Sequence, residues 1–336
     1  MKRLNGNGMS DRESDNRISR EAKSDRPRVS VVIPVFNRLQ FLGAAIESVL
    51  RQSYPNIEVI VVDDGSPLDP GPVVAQYGSR LRLIRKANGG LASARNYGVA
   101  HAAGDYLLFL DDDDFLEPRA IDLLVAALQA NPASAWAAGK FAYVGERGER
   151  LSRTHQCQYA SGDVYERMIF NNLMGAPSVV LIRTDAIKEL GLFDESLLLS
   201  EDWDLWLSAA KRFPLVVISD IVTNYRIHGQ QISKQWNRHL DYHFRVLRKH
   251  KAMARPGTEP LFERGIGKLH RRYGDEAYWR GDDYCAARSH WRAATDLGAM
   301  NLMELNWRLG KSYVPRAFRA AFRAGRSSFR GLAFPR

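Results

Sequence analysis

Short apolar runs alternate with helical patterns from Val29 to about Ile218. Five of these runs are almost continuous in apolar residues, which is typical of strands covered on both faces of a sheet. They are VSVVIPV (29–35), IEVIVVDD (57–64), LRLIR (81–85), DYLLFLD (105–111) and SVVLIR (178–183). Apolar residues recur at helical spacing in the segments 39–52, 91–103 and 119–131. The alternation predicts an α/β fold with a mostly parallel sheet flanked by helices.

The pattern changes after Tyr225, where the β signal ends and helical periodicity continues. A Gly-Asp-Asp break at 281–283 separates two amphipathic segments and predicts an antiparallel helical hairpin. The N-terminal segment is polar and lacks the apolar core of a secretory signal, and no run reaches the ~18 apolar residues of a transmembrane helix. We therefore expect a disordered leader (1–27), an α/β domain (28–230), a C-terminal helical extension (231–312) and a basic amphipathic tail (313–336).

Charge is distributed unevenly along the 336 residues. The net charge is +10, and the region from Arg226 onward holds 23 Lys/Arg against 9 Asp/Glu, so the positive excess belongs to the C-terminal part. The two cysteines, Cys157 and Cys285, match no metal-binding or redox spacing. So few cysteines favour a reducing, cytoplasmic setting.

Polar residues follow three of the predicted strands. Asn37 and Arg38 follow the first strand, the segment 63–66 ends the second, and the segment 111–114 follows YLLFL. Ligands of open α/β sheets collect at the carboxyl ends of strands, so three such ends predict a binding site. Capping of the following helices would explain a single Asp or Ser, but it does not explain three carboxylates in a row at 111–113.

Four adjacent carboxylates at 111–114 oppose folding unless a positive group joins them, because like charges raise one another's pKa. Side chains alternate along a strand, so Asp111 and Asp113 point the same way if the extended conformation continues. Two carboxylates on one side form an oxygen-rich site for a hard cation such as Mg²⁺ or Mn²⁺. Such an ion would attract phosphate groups and stabilise a departing diphosphate.

Five motifs occur in order and at fitting separations: VSVVIPVFNR, EVIVVDDGS, NGGLASARNYG, YLLFLDDDD and SEDWDLWLSAA. Through these motifs, residues 28–230 resemble a glycosyltransferase of family 2, which has the GT-A nucleotide-sugar fold. The resemblance implies an inverting, metal-dependent transfer of a sugar from a nucleoside diphosphate donor, with UDP the favoured nucleotide, to an acceptor hydroxyl. It also implies a place in cell-envelope or exopolysaccharide synthesis, with a glycan or a lipid-linked acceptor.

The resemblance implies roles for individual residues as well. Asp111 and Asp113 match the metal-binding pair, and His228 reaches the metal or the diphosphate unless it is a structural histidine. Asp202 matches the general base for the acceptor hydroxyl, although acidic residues at a helix N-terminus are also favoured by the helix dipole alone. Asp64 would accept the imide N–H of the donor base. The full donor-binding set is Pro34, Asn37, Asp63, Asp64, Arg95, Asn96, Asp112 and Arg226. The acceptor-side residues are Glu201 and Trp203.

The tail 313–336 combines basic and aromatic residues. On a helix, Phe318, Phe322 and Phe329 share one side beside a stripe of arginines, which is the profile of a helix lying in a membrane interface. Two glycines weaken such a helix, so a disordered tail is the alternative. No nucleic-acid-binding motif is present. We expect contact with a membrane surface, at the cytoplasmic face of the inner membrane, and no nucleic-acid partner.

Two other functions fit parts of the sequence. A non-catalytic domain could bind nucleotide or glycan, with the basic helical end as a docking module, but intact Asp111, Asp113 and Asp202 argue against a degenerate site. A sugar-phosphate nucleotidyltransferase would have a Gly-rich phosphate loop after the first strand, where this chain has PVFNR.

Overall fold

The computed structural model describes residues 26–155, 160–229, 231, 236–279 and 283–312. Contacts within the chain divide it into two units, Met1–Tyr242 and His243–Arg336. The predicted boundary after residue 230 lies close to this division and remains a prediction. The predicted leader, apart from its last two residues, and the predicted basic tail lie outside the described residues.

Four parallel strands form the first part of a nine-stranded sheet in the N-terminal unit. They coincide with the first four apolar runs of the sequence and are β1 (Val29–Val35), β2 (Ile57–Asp63), β3 (Arg82–Arg85) and β4 (Tyr106–Phe109). Their order in the sheet is β3-β2-β1-β4, and every residue of β1 is buried, as expected for a strand covered on both faces. The α/β fold predicted from the sequence is therefore confirmed.

The remaining strands make the other half of the sheet mixed. They are β5 (Phe115–Leu116), β6 (Trp136–Val144), β7 (Arg150–Thr154), β8 (Val180–Arg183) and β9 (Leu215–Arg226). After β4 the order is β8-β6-β9-β5, with β7 also paired to β6; β6 and β9 are parallel and the other new pairs are antiparallel. β6 approaches β9 closely at Gly139, where a Cβ atom would lie only 2.6 Å from Val222 Cγ1.

Helices flank this sheet. Those of the N-terminal unit are α1 (Leu42–Leu50), α2 (Gly71–Ala75), α3 (Leu91–His101), α4 (Ala120–Gln129), α5 (Tyr165–Phe170), α6 (Thr184–Glu189) and α7 (Glu201–Arg212), with 3₁₀ turns at Gly78–Arg80 and Pro177–Val179. α1, α3 and α4 confirm the three helices predicted from apolar spacing. α3 lies tightly on β1, because a Cβ atom at Gly98 would meet Val32 Cγ1 at 2.3 Å.

The parallel register brings three polar segments to one edge of the sheet. Val35 at the end of β1 pairs with Asp63 at the end of β2, and the Asp64 N–H donates to the Val35 carbonyl at 3.0 Å. β4 pairs with the other side of β1, and the Leu110 N–H donates to the Val32 carbonyl at 3.0 Å. The four aspartates that follow β4 therefore emerge beside the residues that follow β1.

The C-terminal unit is helical, as predicted for the extension. The last helices of the chain are α8 (Trp236–Ala252), which begins in the N-terminal unit, α9 (Glu259–Trp279), α10 (Tyr284–Asp296) and α11 (Leu302–Ser312). α9 and α10 are antiparallel, since Gly274 lies against Trp291 while the earlier Gly267 lies against the later Leu297. The predicted helical hairpin is thus present. In the part of the chain that the structure describes, none of the helices has the length and apolarity to cross a membrane.

Candidate active site

A guanidinium group joins two of the four adjacent carboxylates. Arg38 follows β1, and its Nη2 donates to Asp112 Oδ1 at 2.6 Å while its Nη1 donates to Asp113 Oδ2 at 2.7 Å. Burial works against the charge on Arg38, but the two aspartates more than offset it and raise the pKa of Arg38 above its usual range. Arg38 therefore supplies part of the positive charge that the aspartates need, a role not predicted from the sequence.

Asp111 and Asp113 are the least buried of the four aspartates, with 22% and 12% of their side-chain surface exposed. One carboxylate oxygen from each of Asp111, Asp113 and Asp114 lies within 4.8 Å of the others, a spacing suited to ligands of a single cation. Oxygen-only ligands suit Mg²⁺ or Mn²⁺. The residues present therefore fit the predicted divalent cation. Burial raises the pKa of Asp111, and the Asp113 charge adds to this, while Arg95 opposes it.

Hydrogen bonds from other residues of the protein hold both carboxylate oxygens of Asp114. Its Oδ2 accepts a hydrogen bond from Ser178 Oγ at 2.9 Å, and its Oδ1 accepts one from the Arg226 N–H at 3.1 Å. The guanidinium of Arg226 donates to the carbonyl oxygens of Asp113 and Glu146 at 2.8 and 2.7 Å. Arg226 is only 5% exposed, and its role in donor binding stays a prediction.

His228 lies beside the predicted metal-binding pair, Asp111 and Asp113. Its Nε2 is 2.9 Å from Asp113 Oδ2, the same oxygen that Arg38 contacts. The imidazole is buried and packs against Phe41, with the ring centroids 5.0 Å apart. Its contact with Asp113 puts His228 at the edge of the candidate cation site, and direct contact with the metal stays a prediction.

Arg95 links Asp111, one of the predicted metal-binding pair, to α7. Its Nη2 donates to Asp111 Oδ1 at 2.7 Å and its Nη1 donates to Glu201 Oε1 at 2.6 Å. The side chain is 1% exposed, and burial opposes its charge, but the two carboxylates raise the pKa of Arg95 beyond its usual range. Burial, reinforced by Asp202, raises the pKa of Glu201 to about 7, while Arg95 opposes this shift. Arg95 and Glu201 thus connect α3 and α7 through one buried ion pair.

Asp202 lies in the first turn of α7, where acidic residues face the positive end of the helix. Its Oδ2 accepts a hydrogen bond from Asn172 Nδ2 at 2.8 Å, and its Oδ1 accepts one from the Trp203 N–H at 2.8 Å. Asp202 is partly exposed, whereas Glu201 and Asp204 in the same turn are buried. The carboxylate is therefore both oriented and accessible. Asn172 was missed because it lies in an irregular segment with no motif around it.

Asp63 and Asp64 stand at the end of β2 with buried side chains. Asp63 Oδ1 accepts a hydrogen bond from the Ser66 N–H at 2.8 Å, and its Oδ2 lies 3.2 Å from Arg85 Nε. Asp64 holds the loop before α3 by accepting three hydrogen bonds, at 2.9, 3.0 and 2.8 Å, from Lys86 Nζ, Gly89 N and Gly90 N. Recognition of the donor base by these carboxylates stays a prediction.

Other predicted residues serve mainly as supports in the structure. The Asn96 amide donates to the Phe193 carbonyl at 2.9 Å and accepts from its N–H at 3.0 Å, which fixes the segment before α7. Trp203 is 3% exposed and donates from Nε1 to the Met168 carbonyl at 2.8 Å. Two predicted residues lie at or just after the end of β1: the buried Pro34 and the exposed Asn37. Substrate contacts of these residues stay predictions.

Comparison with known proteins places this site in a family. The sequence model described as Glycosyl transferase family 2 matches residues 30–191. An uncharacterized glycosyltransferase of Rickettsia felis is 32% identical over 225 residues, covering 63% of this chain and 36% of the relative. Chondroitin synthase of Escherichia coli is 27% identical over 237 residues, covering 69% of this chain and 34% of that protein. The chain spans about a third of the length of these curated relatives.

Solved structures share the fold at low sequence identity. The 1–349 portion of S. aureus TarS in complex with UDP-GlcNAc has a TM-score of 0.64 at 20% identity, covering 89% of this chain and 92% of that one. The mannosyltransferase PcManGT from Pyrobaculum calidifontis, in complex with GDP-Man and Mn²⁺, has a TM-score of 0.57 at 18% identity, covering 89% and 84%. The family match, the ordered motifs and the GT-A type of fold agree. Residues 30–191 therefore match glycosyltransferase family 2, and the fold of the N-terminal unit is that of solved glycosyltransferases.

Proposed function

We propose that the protein is an inverting glycosyltransferase that depends on a divalent cation and moves a sugar from a nucleoside diphosphate sugar to an acceptor hydroxyl. The observation that carries the proposal is the buried Arg95 bridge, which ends on Asp111 at one side and on Glu201, next to Asp202, at the other. One guanidinium thereby fixes the cation-binding carboxylates relative to the predicted base. Sugar transfer needs such positioning because the diphosphate that leaves the anomeric carbon and the hydroxyl that attacks it must both be held in place at the same time.

Residues at the ends of β1, β2 and β4 bind the donor in this proposal. Asp111 and Asp113 would hold a divalent cation, and that cation would supply positive charge to the diphosphate. The carboxylate of Asp64 suits the imide N–H of uracil because it accepts hydrogen bonds and does not donate them. The first amide N–H groups of α3, which follows Gly90, suit a phosphate. UDP as the nucleotide is supported by the UDP-GlcNAc of the TarS complex, and Mn²⁺ as the cation is supported by the PcManGT complex, whose donor is GDP-Man.

The reaction exchanges one bond to the anomeric carbon for another. The acceptor oxygen forms a bond to that carbon while the bond to the diphosphate oxygen breaks, and the acceptor proton passes to Asp202. The diphosphate leaves with the bonding electron pair. Attack in line with the departing bond inverts the configuration of the carbon. Each oxygen of Asp202 accepts one hydrogen bond, which orients the carboxylate and leaves lone pairs for the proton.

The setting that we propose is the assembly of a cell-envelope polysaccharide or exopolysaccharide in the cytoplasm. The likeness to a chondroitin synthase supports a polysaccharide product. The acceptor is then a growing glycan or a lipid-linked glycan.

Contact with a membrane surface is a separate part of the proposal. α11 exposes Leu302, Met303 and Trp307, and the chain continues from this helix into the basic and aromatic segment 313–336. Apolar side chains followed by arginines suit an anionic lipid surface. Vesicle flotation of the full chain and of a chain shortened at 312 tests this contact. We expect recovery on anionic vesicles only for the full chain, and equal recovery of both chains would refute it.

Asp202→Asn tests the proposed chemistry. The amide keeps the size and one acceptor oxygen of the side chain, but it cannot take the proton. We expect turnover to fall by about 10²-fold or more, the scale of losing a general base, while UDP affinity with Mn²⁺ changes by no more than about twofold. Sugar transfer, donor hydrolysis and isothermal titration with UDP measure these quantities. Asp185→Asn, in the first turn of another helix, is the matched control and should keep full turnover.

Loss of UDP binding in Asp202→Asn would contradict the role of Asp202. If the protein binds nucleotide but is not an enzyme, the unaltered chain would give a different result. It would bind UDP in a Mn²⁺-dependent manner, with neither hydrolysis nor transfer across a panel of UDP-, GDP- and dTDP-sugars and acceptors.

A further inference from the structure

A pocket of about 330 Å³ lies at the carboxyl ends of the parallel strands β6 and β9. Its lining side chains are Phe141, Tyr143, His155, Tyr225, Ile227 and Gln231, and Gly175 completes the wall. We call it the aromatic pocket. Its volume is at the low end of the range of about 300–1,000 Å³ for ligand sites, which suits one small ring. None of these residues belongs to the donor site proposed above.

The aromatic rings of the pocket hold one another in fixed orientations. The rings of Tyr143 and Tyr225 lie 5.8 Å apart at 84°, and Phe141 meets Tyr143 at 5.1 Å and 77°. Phe141 is buried, whereas both tyrosines are half-buried and line the pocket. The Arg153 guanidinium lies 4.9 Å from the Tyr143 ring centroid, so Tyr225 is the better platform for a ligand. Edge-to-face packing of this kind restrains the rings before a ligand arrives.

His155 is difficult to explain by packing alone. Its ring stacks on Phe141 at 4.5 Å and 10°, yet its Nδ1 is buried without a hydrogen-bond partner among the residues that the structure describes. Burial, reinforced by Arg153, lowers the pKa of His155, so the ring is neutral at pH 7 and has one donor and one acceptor nitrogen. An apolar side chain would fill this position without an unpaired nitrogen. A polar ring here favours a ligand that carries hydrogen-bonding groups.

The aromatic pocket adjoins the candidate cation site on one side. Tyr225 directly precedes Arg226, whose Nε donates to the Asp113 carbonyl at 2.8 Å. Gln231, another wall of the pocket, donates from Nε2 to the Arg226 carbonyl at 2.5 Å. Arg226 thus contacts both a wall residue of the pocket and the segment that holds the aspartates.

The other side of the pocket adjoins the predicted base. Gly175 is three residues from Asn172, the hydrogen-bond donor to Asp202, so their Cα atoms are at most about 11 Å apart. Gly175 has a φ of 71° and no side chain, and a Cβ atom there would lie 3.1 Å from Phe141 Cε1. Glycine therefore keeps this wall open. The wall of the pocket is thus connected through Gly175 to the segment that orients the predicted base, and through Tyr225 to Arg226.

We propose that the aromatic pocket binds one pyranose ring of a glycan acceptor, stacked on Tyr225 with hydroxyls hydrogen-bonded to His155 and Gln231. A pyranose presents C–H groups on its faces, which are attracted to the negative face of an aromatic ring, and hydroxyls at its edge. The pocket offers both kinds of contact in a volume for one ring. The proposal rests on the proposed function, since it assigns the acceptor class of the same active site.

Saturation-transfer difference NMR on the full chain tests the proposal. The probes are the methyl glycosides of glucose, galactose, mannose and N-acetylglucosamine, with ribitol as a polyol that has no ring. We expect saturation of the ring C–H protons of at least one glycoside and none of ribitol. Tyr225→Leu should lower the affinity for that glycoside by about three- to tenfold, which is the scale of one aromatic contact. Tyr225→Phe should keep the affinity within about twofold.

Two further variants guard against misfolding and non-specific effects. Tyr143→Leu removes the ring that restrains Tyr225 and should also weaken glycoside binding. Tyr106→Leu changes a tyrosine of a different pocket, at the amino end of β4, and should change nothing. Titration of each variant with UDP and Mn²⁺ should match the unaltered chain, because these side chains lie outside the donor site.

The outcomes separate this proposal from the proposed function. Three results, each obtained together with normal UDP binding, would overturn the acceptor pocket alone. They are the absence of a glycoside signal, the presence of a ribitol signal, and glycoside binding that neither Tyr143→Leu nor Tyr225→Leu changes. Glycoside binding that depends on Tyr225 in a chain that does not bind UDP would support the pocket and overturn the donor site.

Discussion

The buried Arg95 bridge gives the sharpest test of how the site is held together. Arg95→Met keeps the apolar stem of the side chain but removes both hydrogen bonds, to Asp111 at 2.7 Å and to Glu201 at 2.6 Å. Each hydrogen bond to a charged group contributes about 1.5–3 kcal/mol, so the pair contributes about 3–6 kcal/mol. Breaking a buried ion pair from one side costs about 3–5 kcal/mol, which agrees.

Two features of the structure favour the lower end of that range. The Asp111 side chain is 22% exposed and regains water when Arg95 is lost. The pKa of Glu201 is already about 7, so this carboxyl takes up a proton near neutral pH instead of remaining as an unpaired buried charge. We therefore expect Arg95→Met to lower the free energy of unfolding of the N-terminal unit by about 3 kcal/mol.

Hydrogen exchange of peptides from β1 and β4, measured in increasing urea, reports on the N-terminal unit alone. Arg183→Met is the matched control, because Arg183 pairs with Asp185 at the surface, with side-chain exposures of 40% and 68%. That surface pair should contribute less than about 1 kcal/mol. Equal losses in the two variants would show that the Arg95 bridge does not hold the site, and the positioning argument would fail.

Three further predictions concern the aspartates and their neighbours. Asp113→Ala should weaken UDP binding far more with Mn²⁺ than with EDTA in isothermal titration, because Asp113 acts through the cation. Equal weakening under both conditions would contradict a role for the metal in UDP binding. Ser178→Ala takes the hydroxyl donor from buried Asp114 and should cost about 1–3 kcal/mol in urea unfolding, whereas the exposed Ser196→Ala should cost almost nothing. Glu201 has an ordinary pKa of 4.5 and a folded-state pKa of about 7, so its stabilising effect is present below pH 4.5 and is lost as the pH rises through 7. The stability of the unaltered chain relative to Glu201→Gln should therefore fall between about pH 5 and about pH 8, and a constant difference would show that Glu201 does not titrate in this range.

The apolar pattern of the sequence predicted the strands that are buried on both faces. It did not predict β6 and β9, and their composition explains why. Large apolar residues dominate β1, β2 and β4, so the local sequence is enough to predict these strands. β6 is rich in alanine and glycine, and β9 contains serine, aspartate, threonine and asparagine, so neither shows a strong strand pattern. Their strand structure comes from pairing with each other, which depends on contacts between distant parts of the chain.

The candidate site follows the same division between local and distant information. Three polar strand ends were predicted to converge because parallel strands end at a common edge, and the register of β1, β2 and β4 brings them together. The partners of the aspartates were not predictable in this way. Arg38 is 75 residues from Asp113, and Arg95 is 106 residues from Glu201. Those pairings depend on how helices and loops pack, and single motifs do not contain that information.

The central claim is that Asp111 and Asp113 hold a divalent ion against the diphosphate of a sugar donor. A crystal grown with UDP and Mn²⁺, with data collected at the manganese absorption edge, measures this most directly. The account predicts an anomalous peak between these two carboxylates and the diphosphate oxygens. UDP bound with no manganese at this corner, and with the carboxylates still paired to Arg95, Arg38 and His228, would contradict it.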